Sequence, residues 1–455
     1  MGYAPVGKLM VTMGIPMILS MVLQAFYNIV DSWFVSQMPD SGGITGLGEY
    51  GVNALTLAFP VQILMIGIGV GTGVGINALL SRSLGKGDRE MAGVLAGNGI
   101  FLGLCTYAVF LVIGIFGVEA VMRSQTSDPI AQAMGSTYLR ICMVLSFGSI
   151  LFMIYEKLLQ ATGCTGLSMV CQVSGALVNI VLDPVMIFGL WGFPAMGIAG
   201  AAWATVAGQI FSLVLSMLFH YGKNHDVPHG MRYLKPQTAV IGQIYAIGVP
   251  AIIMQVLMSV MTYGINIIFG RLGASVVTAY GVYYKIQQFV VFAAAGLNNA
   301  LIPILSFNYG MGSVKRVRQS IRFGMAFTLV MMAAGMIGFQ IFAEPLVSLF
   351  ALSGETLRLC VLAMHIVTLG YLCIGANTAF QGIFQAFGNG VMSLAVSLIR
   401  LCVVVLPLAL WLTTFDGAEN LVWWAFPIAE VCGLLAALIF MRKIEREKIA
   451  GMTVE

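Results

Sequence analysis

The chain has 455 residues, of which 59% are hydrophobic and only 9% are charged, with a formal net charge of +4. Soluble globular domains carry about 25% charged residues, so this composition excludes a soluble protein and indicates one embedded in a membrane. The eight cysteines are scattered singly without a CxxC pair, which argues against a zinc site or a disulfide framework.

Long apolar runs follow one another along the chain. A membrane-spanning helix needs about 20 apolar residues, and twelve runs are long enough. Only short polar loops separate them, so the sequence predicts an all-helical polytopic membrane protein with twelve transmembrane helices. The predicted helices 1 to 12 cover residues 9–35, 52–80, 92–117, 130–157, 167–189, 196–220, 240–269, 279–307, 320–343, 358–385, 391–413 and 421–441.

The basic residues predict the orientation, because cytoplasmic loops of membrane proteins carry an excess of Lys and Arg. If the amino terminus is cytoplasmic, only Arg123, Arg271 and Arg358 fall in outer segments, and most other basic residues fall in inner ones. We therefore expect a multi-pass protein of the cell inner (plasma) membrane, surrounded by the lipid bilayer, with both termini in the cytoplasm.

The two halves of the chain resemble each other. Residues 14–35, "GIPMILSMVLQAFYNIVDSWFV", align without a gap on residues 248–269, "GVPAIIMQVLMSVMTYGINIIF". Two shorter matches support this alignment: "SLGKGD" (83–88) with "NYGMGS" (308–313), and "LLQATG" (158–163) with "IFQAFG" (383–388).

A copy of six helices begins and ends on the same side of the membrane. Two such copies are parallel repeats, related by a pseudo-twofold axis along the membrane normal. The sequence thus predicts an N-terminal lobe (1–220), a cytoplasmic linker (221–239) and a C-terminal lobe (240–455). Two lobes around a central cleft are typical of a transporter that exposes the cleft alternately to each side.

Asp31 and Asp183 lie within predicted helices of the first half and have no acidic counterpart in the second half. A charge at the centre of a spanning helix costs on the order of 2.5–3.5 kcal/mol on insertion scales. In the repeat alignment Asp31 falls on Ile265 and Asp183 falls on Leu406. A structural need shared by both copies would predict acids in both. The alternative is that each acid caps or hydrogen-bonds a neighbour and never titrates.

Asp183 lies in a group of candidate oxygen ligands. Asn179 is four residues earlier and on the same helix face, and Pro184 cannot donate to the carbonyl of Ile180. A freed carbonyl, an amide oxygen and a carboxylate suit a proton, water or Na⁺. If Asp31 faces Asp183, repulsion opposes ionisation of both, so the pair would take a proton or hold Na⁺.

The other buried charges leave two readings open. Lys285, Arg400 and Glu430 either form a salt-bridge cluster between predicted helices 8, 11 and 12, or present a cation to the cleft and its substrate. Arg140 is similarly ambiguous. Gln24 and Asn28, on predicted helix 1, are further candidates for the cleft.

Other classes of function are less well supported. A membrane-embedded enzyme needs a nucleophile with its base, or a metal cluster, and the sequence suggests neither. A passive channel does not explain why the acids occur in one repeat only. We therefore expect a transporter without catalytic residues and without a nucleic-acid partner.

Three segments resemble one family. "QATG", "ALVNIVLDPVMIFG" and "GIAGAAWATVAGQ" are similar to segments of multidrug and toxic compound extrusion (MATE) transporters. The resemblance covers nearly the whole chain. Predicted helices 7 and 10 contain no acid, unlike the NorM-type branch, so the sequence looks closer to the DinF and MepA-like branch.

The resemblance implies site residues and an activity. Asp31, Asn179, Asp183 and Thr205 match the family's cation site, with Tyr27 beside it. Pro16 matches a helix-1 proline proposed to bend on protonation, although a passive kink is the alternative. The family implies export of amphipathic, usually cationic drugs or metabolites in exchange for H⁺ or Na⁺, with no other cofactor. We expect a monomer.

The runner-up function is a lipid-linked precursor flippase or oligosaccharide exporter of the same superfamily. Such proteins have more helices and a strongly cationic cleft, whereas the basic residues that we expect inside the membrane here are only Arg140, Lys285 and Arg400.

Overall fold

The computed structural model describes residues 1–40, 46–348, 350 and 354–452. Within these ranges the chain is helical and contains no strand, which confirms the all-helical prediction. Each of the twelve predicted helices corresponds to one observed span. These are α1 (Val6–Ser36), α2 (Leu47–Gly85), α3 (Arg89–Gln125), α4 (Pro129–Val144 with Phe147–Ala161), α5 (Thr165–Phe188), α6 (Ile198–Lys223), α7 (Thr238–Gly270), α8 (Ala274–Gly310), α9 (Val314–Ser348), α10 (Gly354–Ala386), α11 (Gly390–Leu412) and α12 (Ala418–Ile449).

The span α4 is broken, whereas the sequence predicts one continuous helix there; that prediction is wrong. Its two segments meet at an angle of 47°. The first segment begins where Asp128 accepts hydrogen bonds from the backbone of Ile130 and Ala131, at 2.9 and 3.4 Å. Pro129 occupies the first turn, where its missing N–H leaves no bond unmade.

The chain forms two compact units. The first unit comprises Met1–Val22, Ser81–Gly87 and Tyr245–Glu455. Part of its core joins methionines of α1 to α8 and α10, and another part surrounds the buried rings of Tyr280, Tyr283, Tyr371 and Trp423. The second unit comprises Leu23–Leu80 and Asp88–Ile244.

Within the second unit, α5 and α6 pack closely because two glycines face each other. A Cβ on Gly175 would lie 2.7 Å from the carbonyl oxygen of Gly208, and a Cβ on Gly208 would lie 2.6 Å from that of Gly175. Real Cβ contacts are longer than this, so only glycine permits the approach. The approach brings the polar side chains of the two helices together.

The segment after α6 is fixed to α3. Its 3₁₀ turn, Met231–Leu234, packs where α3 carries Gly97, whose missing side chain makes room for the Tyr233 carbonyl. The buried Asn98 amide donates to the carbonyls of Tyr233 and Lys235 at 3.5 and 3.3 Å. Its oxygen accepts from the Gln237 backbone at 2.8 Å.

Candidate cation site

Two acids meet inside the second unit. The carboxyl groups of Asp31 on α1 and Asp183 on α5 lie close enough for each to act on the other. Asp31 is 7% exposed, and Asp183 is fully buried. On other faces of α5, Leu177 and Val181 are more than half exposed. The helix therefore turns its acid into the protein and its apolar side chains outward, as expected of a helix in lipid.

Neutral polar groups from three helices surround the pair. The amide nitrogen of Asn179 donates to Oδ1 of Asp183 at 3.4 Å and to Oγ1 of Thr205 at 3.3 Å. The hydroxyl of Tyr27 lies close to Thr205 and to both acids. The residues that the sequence grouped as a cation site thus lie together.

Three oxygens of this group have no hydrogen-bond donor in the described part of the chain: Oδ1 of Asp31, Oδ1 of Asn179 and Oδ2 of Asp183. A buried polar atom without a partner costs about 1–3 kcal/mol. A cation bound among these oxygens would offset that cost. Carboxylate and amide oxygens are hard ligands that suit a proton or Na⁺. The side chains present therefore fit such an ion.

Both predicted hinge prolines lie inside helices. Pro184 follows Asp183 within α5, and Pro16 lies within the first half of α1. Each removes one N–H from its helix and crowds the carbonyl four residues earlier. At Pro184 that carbonyl belongs to Ile180, one residue after Asn179. The backbone next to the acid pair is thereby weakened in hydrogen bonding.

The sequence analysis did not identify two residues of α4 beside the site. The Tyr138 hydroxyl and the Cys142 thiol are buried and lie close enough to Asp31 for its charge to act on them. Both are uncharged, so a search for charges in apolar helices passes over them. Their i, i+4 spacing on one face of α4 is the only signal in the sequence.

The two cleft candidates on α1 have different surroundings. Oε1 of Gln24 accepts from the Gln172 amide on α5 at 2.8 Å. The side chain of Asn28 is exposed and makes no hydrogen bond to the described residues, while its backbone carbonyl accepts from the Ser32 hydroxyl at 3.0 Å. Gln24 therefore belongs to the polar contacts between α1 and α5.

In the first unit, Arg400 and Glu430 form an ion pair. One guanidinium nitrogen of Arg400 lies 2.8 and 3.1 Å from the two carboxylate oxygens of Glu430. The amide of Asn377 on α10 donates to the same carboxylate at 2.8 Å and to the Glu430 carbonyl at 2.9 Å. Lys285 is exposed and takes part in no ion pair within the described ranges.

Of the predicted cluster of Lys285, Arg400 and Glu430, the described structure thus pairs only Arg400 with Glu430, and the amide of Asn377 joins them. Asn377 was missed because it is neutral. Arg140 is also paired: its guanidinium lies 2.8 Å from the carboxylate of Glu119, and both side chains are about half exposed. Arg140 is therefore not buried inside the helix bundle.

The fold and the site have known counterparts. The profile of the MatE family matches residues 16–185 and 250–411, which is more than half of the chain. The chain belongs to the MatE family. The matched stretches contain Asp31, Asn179 and Asp183 of the acid site.

MATE relatives cover nearly the whole sequence. The chain is 24% identical over 441 residues to the multidrug export protein MepA of Staphylococcus aureus (strain MRSA252), covering 96% of this chain and 94% of that protein. A MepA of Staphylococcus saprophyticus is 23% identical over 432 residues, with 95% and 93% covered. These relatives support the MepA-like branch of the MATE transporters.

Solved MATE structures share the fold. An outward-facing multidrug resistance MATE family transporter of the MOP superfamily superposes with a TM-score of 0.90 at 21% identity, over 99% of this chain and 97% of that one. A MATE in complex with MaL6 gives a TM-score of 0.89 at 21% identity, over 97% and 98%. A MOP superfamily transporter from Pyrococcus furiosus gives 0.87 at 22%, over 99% and 97%.

Proposed function

We propose that this MATE transporter is a cation-coupled antiporter that exports amphipathic organic cations in exchange for H⁺ or Na⁺. The observation that carries the proposal is the buried Asp31–Asp183 pair, with its unpartnered oxygens, in one sequence repeat only. The names of the MepA relatives, multidrug export proteins, support the export of varied compounds.

The pair would couple transport through its charge. Without a cation, two ionised carboxyl groups repel each other in surroundings of low dielectric constant. One proton or one Na⁺ removes that repulsion and lets α1 and α5 approach. A cation entering from outside would thus favour one arrangement of the helices, and its loss inside would favour the other. Pro184 would allow the backbone of α5 to adjust beside the acid.

The remaining parts of the proposal follow from the sequence. A monomer would work by alternating access of two lobes in the plasma membrane, with both termini in the cytoplasm. Moving one charge across the membrane supplies about 2.3 kcal/mol per 100 mV. An exporter of phosphate-linked lipids or sugars would need several unpaired cations, whereas Arg140 and Arg400 are each paired with a glutamate and Lys285 alone of the three has no ion pair in the described ranges.

Dye efflux from reconstituted vesicles tests the proposal. Wild type and Asp183→Asn are compared while a pH gradient and a Na⁺ gradient are imposed separately. Asparagine keeps the shape and still accepts from Asn179, but it cannot take up a proton or balance Na⁺. We expect gradient-driven efflux to be lost in Asp183→Asn, and the gradient that drives the wild type names the ion.

A control variant tests whether efflux depends on Asp183 in particular or on the loss of any one carboxylate. Asp416→Asn removes an exposed carboxylate far along the chain in the α11–α12 loop, and its efflux should equal that of the wild type. If folded Asp183→Asn retains full gradient-driven efflux, Asp183 does not couple the cation and the proposal fails. If neither gradient drives the wild type, the protein is not an antiporter of this type.

A further inference from the structure

A second group of polar side chains lies at the junction of α4 and α5, in the same unit as the acid pair. The amide of Gln160 donates to the carboxylate of Glu156 at 3.0 Å and to the hydroxyl of Ser168 at 3.3 Å. Ser168 itself lies 3.4 Å from Glu156. The ammonium of the buried Lys157 donates to the oxygen of Gln160 at 2.9 Å. The proposed coupling chemistry uses none of these groups.

The second repeat contains the same hydrogen bond without the charges. The alignment of "LLQATG" with "IFQAFG" places Gln160 on Gln385 and Ser168 on Ser393. Gln385 donates to Ser393 at 3.3 Å, as Gln160 does to Ser168. The bond thus joins the two helices in both repeats, so joining them does not require charged residues.

The charged positions differ between the repeats. Glu156 corresponds to Gln381 and Lys157 to Gly382. Gln381 makes a neutral bond to the Ser397 hydroxyl at 2.7 Å. A carboxylate and an ammonium are costly inside a spanning helix, and at these two positions they occur only in the repeat that also has the acid pair. Their presence there needs a reason other than helix packing.

A line of polar side chains on α5 leads from Glu156 toward the acid pair. At about 100° per residue, Ser168, Gln172, Asn179 and Asp183 fall within a sector of about 60°. Ser168 and Asp183 are fifteen residues apart, or about 22 Å along the helix.

The contacts along this line are polar. Gln172 donates to Gln24 at 2.8 Å, and its buried Oε1 has no hydrogen-bond donor in the part of the chain described. Between Gln172 and Asn179, the hydroxyl of Ser212 fills the space beside Gly175 and donates to the Cys171 carbonyl at 3.0 Å. The line therefore offers oxygen atoms over its whole length.

We propose that Glu156 is the inner exchange point of the coupling cation, which leaves the Asp31–Asp183 pair along the polar face of α5. This inference rests on the proposed antiport function and adds the route to it. A proton released by the pair would be taken up by the Glu156 carboxylate. Because the Glu156 side chain is only partly buried, the proton would pass from there to water. A Na⁺ would follow the same oxygens with Glu156 as a ligand.

The surroundings of Glu156 suit a transient acceptor. Lys157 is the basic group whose charge acts on it, and the Cys171 thiol on α5 also lies within reach of its charge. The Lys157 ammonium balances the carboxylate when no cation is present, so the site does not hold the cation permanently. Glu156 would therefore govern how fast the cation passes and not how much is bound.

The test measures separately how many coupling ions the protein releases and how fast the ions enter the vesicle. Tetraphenylphosphonium, an amphipathic organic cation, is added to detergent-solubilised protein, and the number of protons or Na⁺ ions released at equilibrium is measured. In vesicles, an indicator in the lumen records the rate at which the same ion enters as tetraphenylphosphonium leaves. For Glu156→Gln we expect an unchanged amount released but an entry rate lower by about tenfold or more, which corresponds to a higher barrier on the route.

Two variants make the comparison specific. Glu156→Asp keeps a carboxylate, so its entry rate should stay close to that of the wild type. Gln381→Glu adds a carboxylate at the matching place in the second repeat and should not change the rate. If Glu156→Gln does not fold, Gln172→Met interrupts the line elsewhere and should lower the rate in the same way.

Other outcomes contradict the inference. Unchanged rates in both Glu156→Gln and Gln172→Met would reduce the group to a hydrogen-bonded joint between helices, while loss of coupling in Asp183→Asn would still support the antiport proposal. A loss of released ion in folded Glu156→Gln would make Glu156 a storage site and not an exchange point. Absence of any ion release from the wild type would instead contradict the antiport proposal itself.

Discussion

One guanidinium nitrogen of Arg400 bonds to both carboxylate oxygens of Glu430, at 2.8 and 3.1 Å. The two side chains are only 11% and 12% exposed, and Arg400 lies in a π-helical turn, Ile399–Val403. The extra residue of that turn sets the direction in which Arg400 leaves the helix. The pair joins α11 to α12, and Asn377 adds α10.

This relationship predicts a loss of stability when either partner is removed. Breaking a buried pair costs about 3–5 kcal/mol because one charge stays behind. Arg400→Met should therefore lower the melting temperature of the protein in detergent, and Glu430→Gln should lower it too. The double variant should be more stable than the sum of the two losses indicates. Additive losses in this double-mutant cycle would mean that the pair contributes no coupling energy.

The amide of Asn179 should matter for cation affinity. It donates to Asp183, and a hydrogen bond to a charged group contributes about 1.5–3 kcal/mol. Asn179→Ala should therefore shift the cation concentration needed for half-maximal dye efflux by about tenfold or more. If the cation is H⁺, that concentration should fall, because the ionised Asp183 loses a donor. If it is Na⁺, it should rise, because the amide oxygen is lost as a ligand. Thr205→Val, which keeps the shape and loses only the hydroxyl, should have a smaller effect. Equal half-maximal concentrations in Asn179→Ala and the wild type would exclude a role in binding.

The close packing of α5 on α6 predicts opposite effects for two glycines of one helix. A Cβ on Gly175 would meet the Ser212 hydroxyl and the Gly208 carbonyl, whereas a Cβ on Gly166 would meet nothing within 4 Å. Gly175→Ala should lower the melting temperature, since overpacking costs about 1–3 kcal/mol. Gly166→Ala should leave it unchanged or raise it. A stable Gly175→Ala variant would show that the two helices separate easily.

The segment between α6 and α7 should depend on Asn98. Its side chain holds the backbone at Tyr233, Lys235 and Gln237. Asn98→Leu should expose the segment to trypsin at Arg232, as detected by mass spectrometry; Lys235 precedes Pro236 and is not a trypsin site. Glu90→Gln removes only the exposed ion pair with Arg232 and should change cleavage little, because exposed pairs contribute about 0–1 kcal/mol. Equal cleavage in both variants would contradict this account.

His229 predicts a dependence of stability on pH. Burial, together with the nearby His225, lowers the pKa of His229 from its ordinary value, while its ring packs against His220 and Tyr221. The unfolded chain therefore binds this proton more readily, and the stabilising contribution is lost as pH falls through about 6.5.

The melting temperature should be measured at several pH values from about 7.5 down to about 5.5, a range that covers this titration. It should fall less in His229→Phe, which keeps a ring but cannot be protonated, than in the wild type. A parallel decline in both proteins would assign the pH dependence to other groups.

The helices and the acid pair were predictable because strong physical rules govern them. The bilayer sets the length of each apolar run, and the cost of a buried charge makes Asp31 and Asp183 conspicuous in such runs. Pairing across helices is a different matter. Tyr138, Cys142 and Asn377 are neutral, and their contacts join segments far apart in sequence. The break in α4 and the π turn at Ile399–Val403 depend on hydrogen-bond register, which apolar periodicity does not reveal.

The contact between Gly73 on α2 and Lys157 on α4 differs between the two repeats. Gly73 leaves room for Lys157, since a Cβ there would lie 2.6 Å from the lysine side chain. In the second repeat the sizes are exchanged, because Asn298 fills the space beside Gly382. Two large residues cannot share either crossing. The two repeats therefore place the large side chain on opposite helices of the same crossing, so a large residue at Gly73 or at Gly382 would require its present partner to become small.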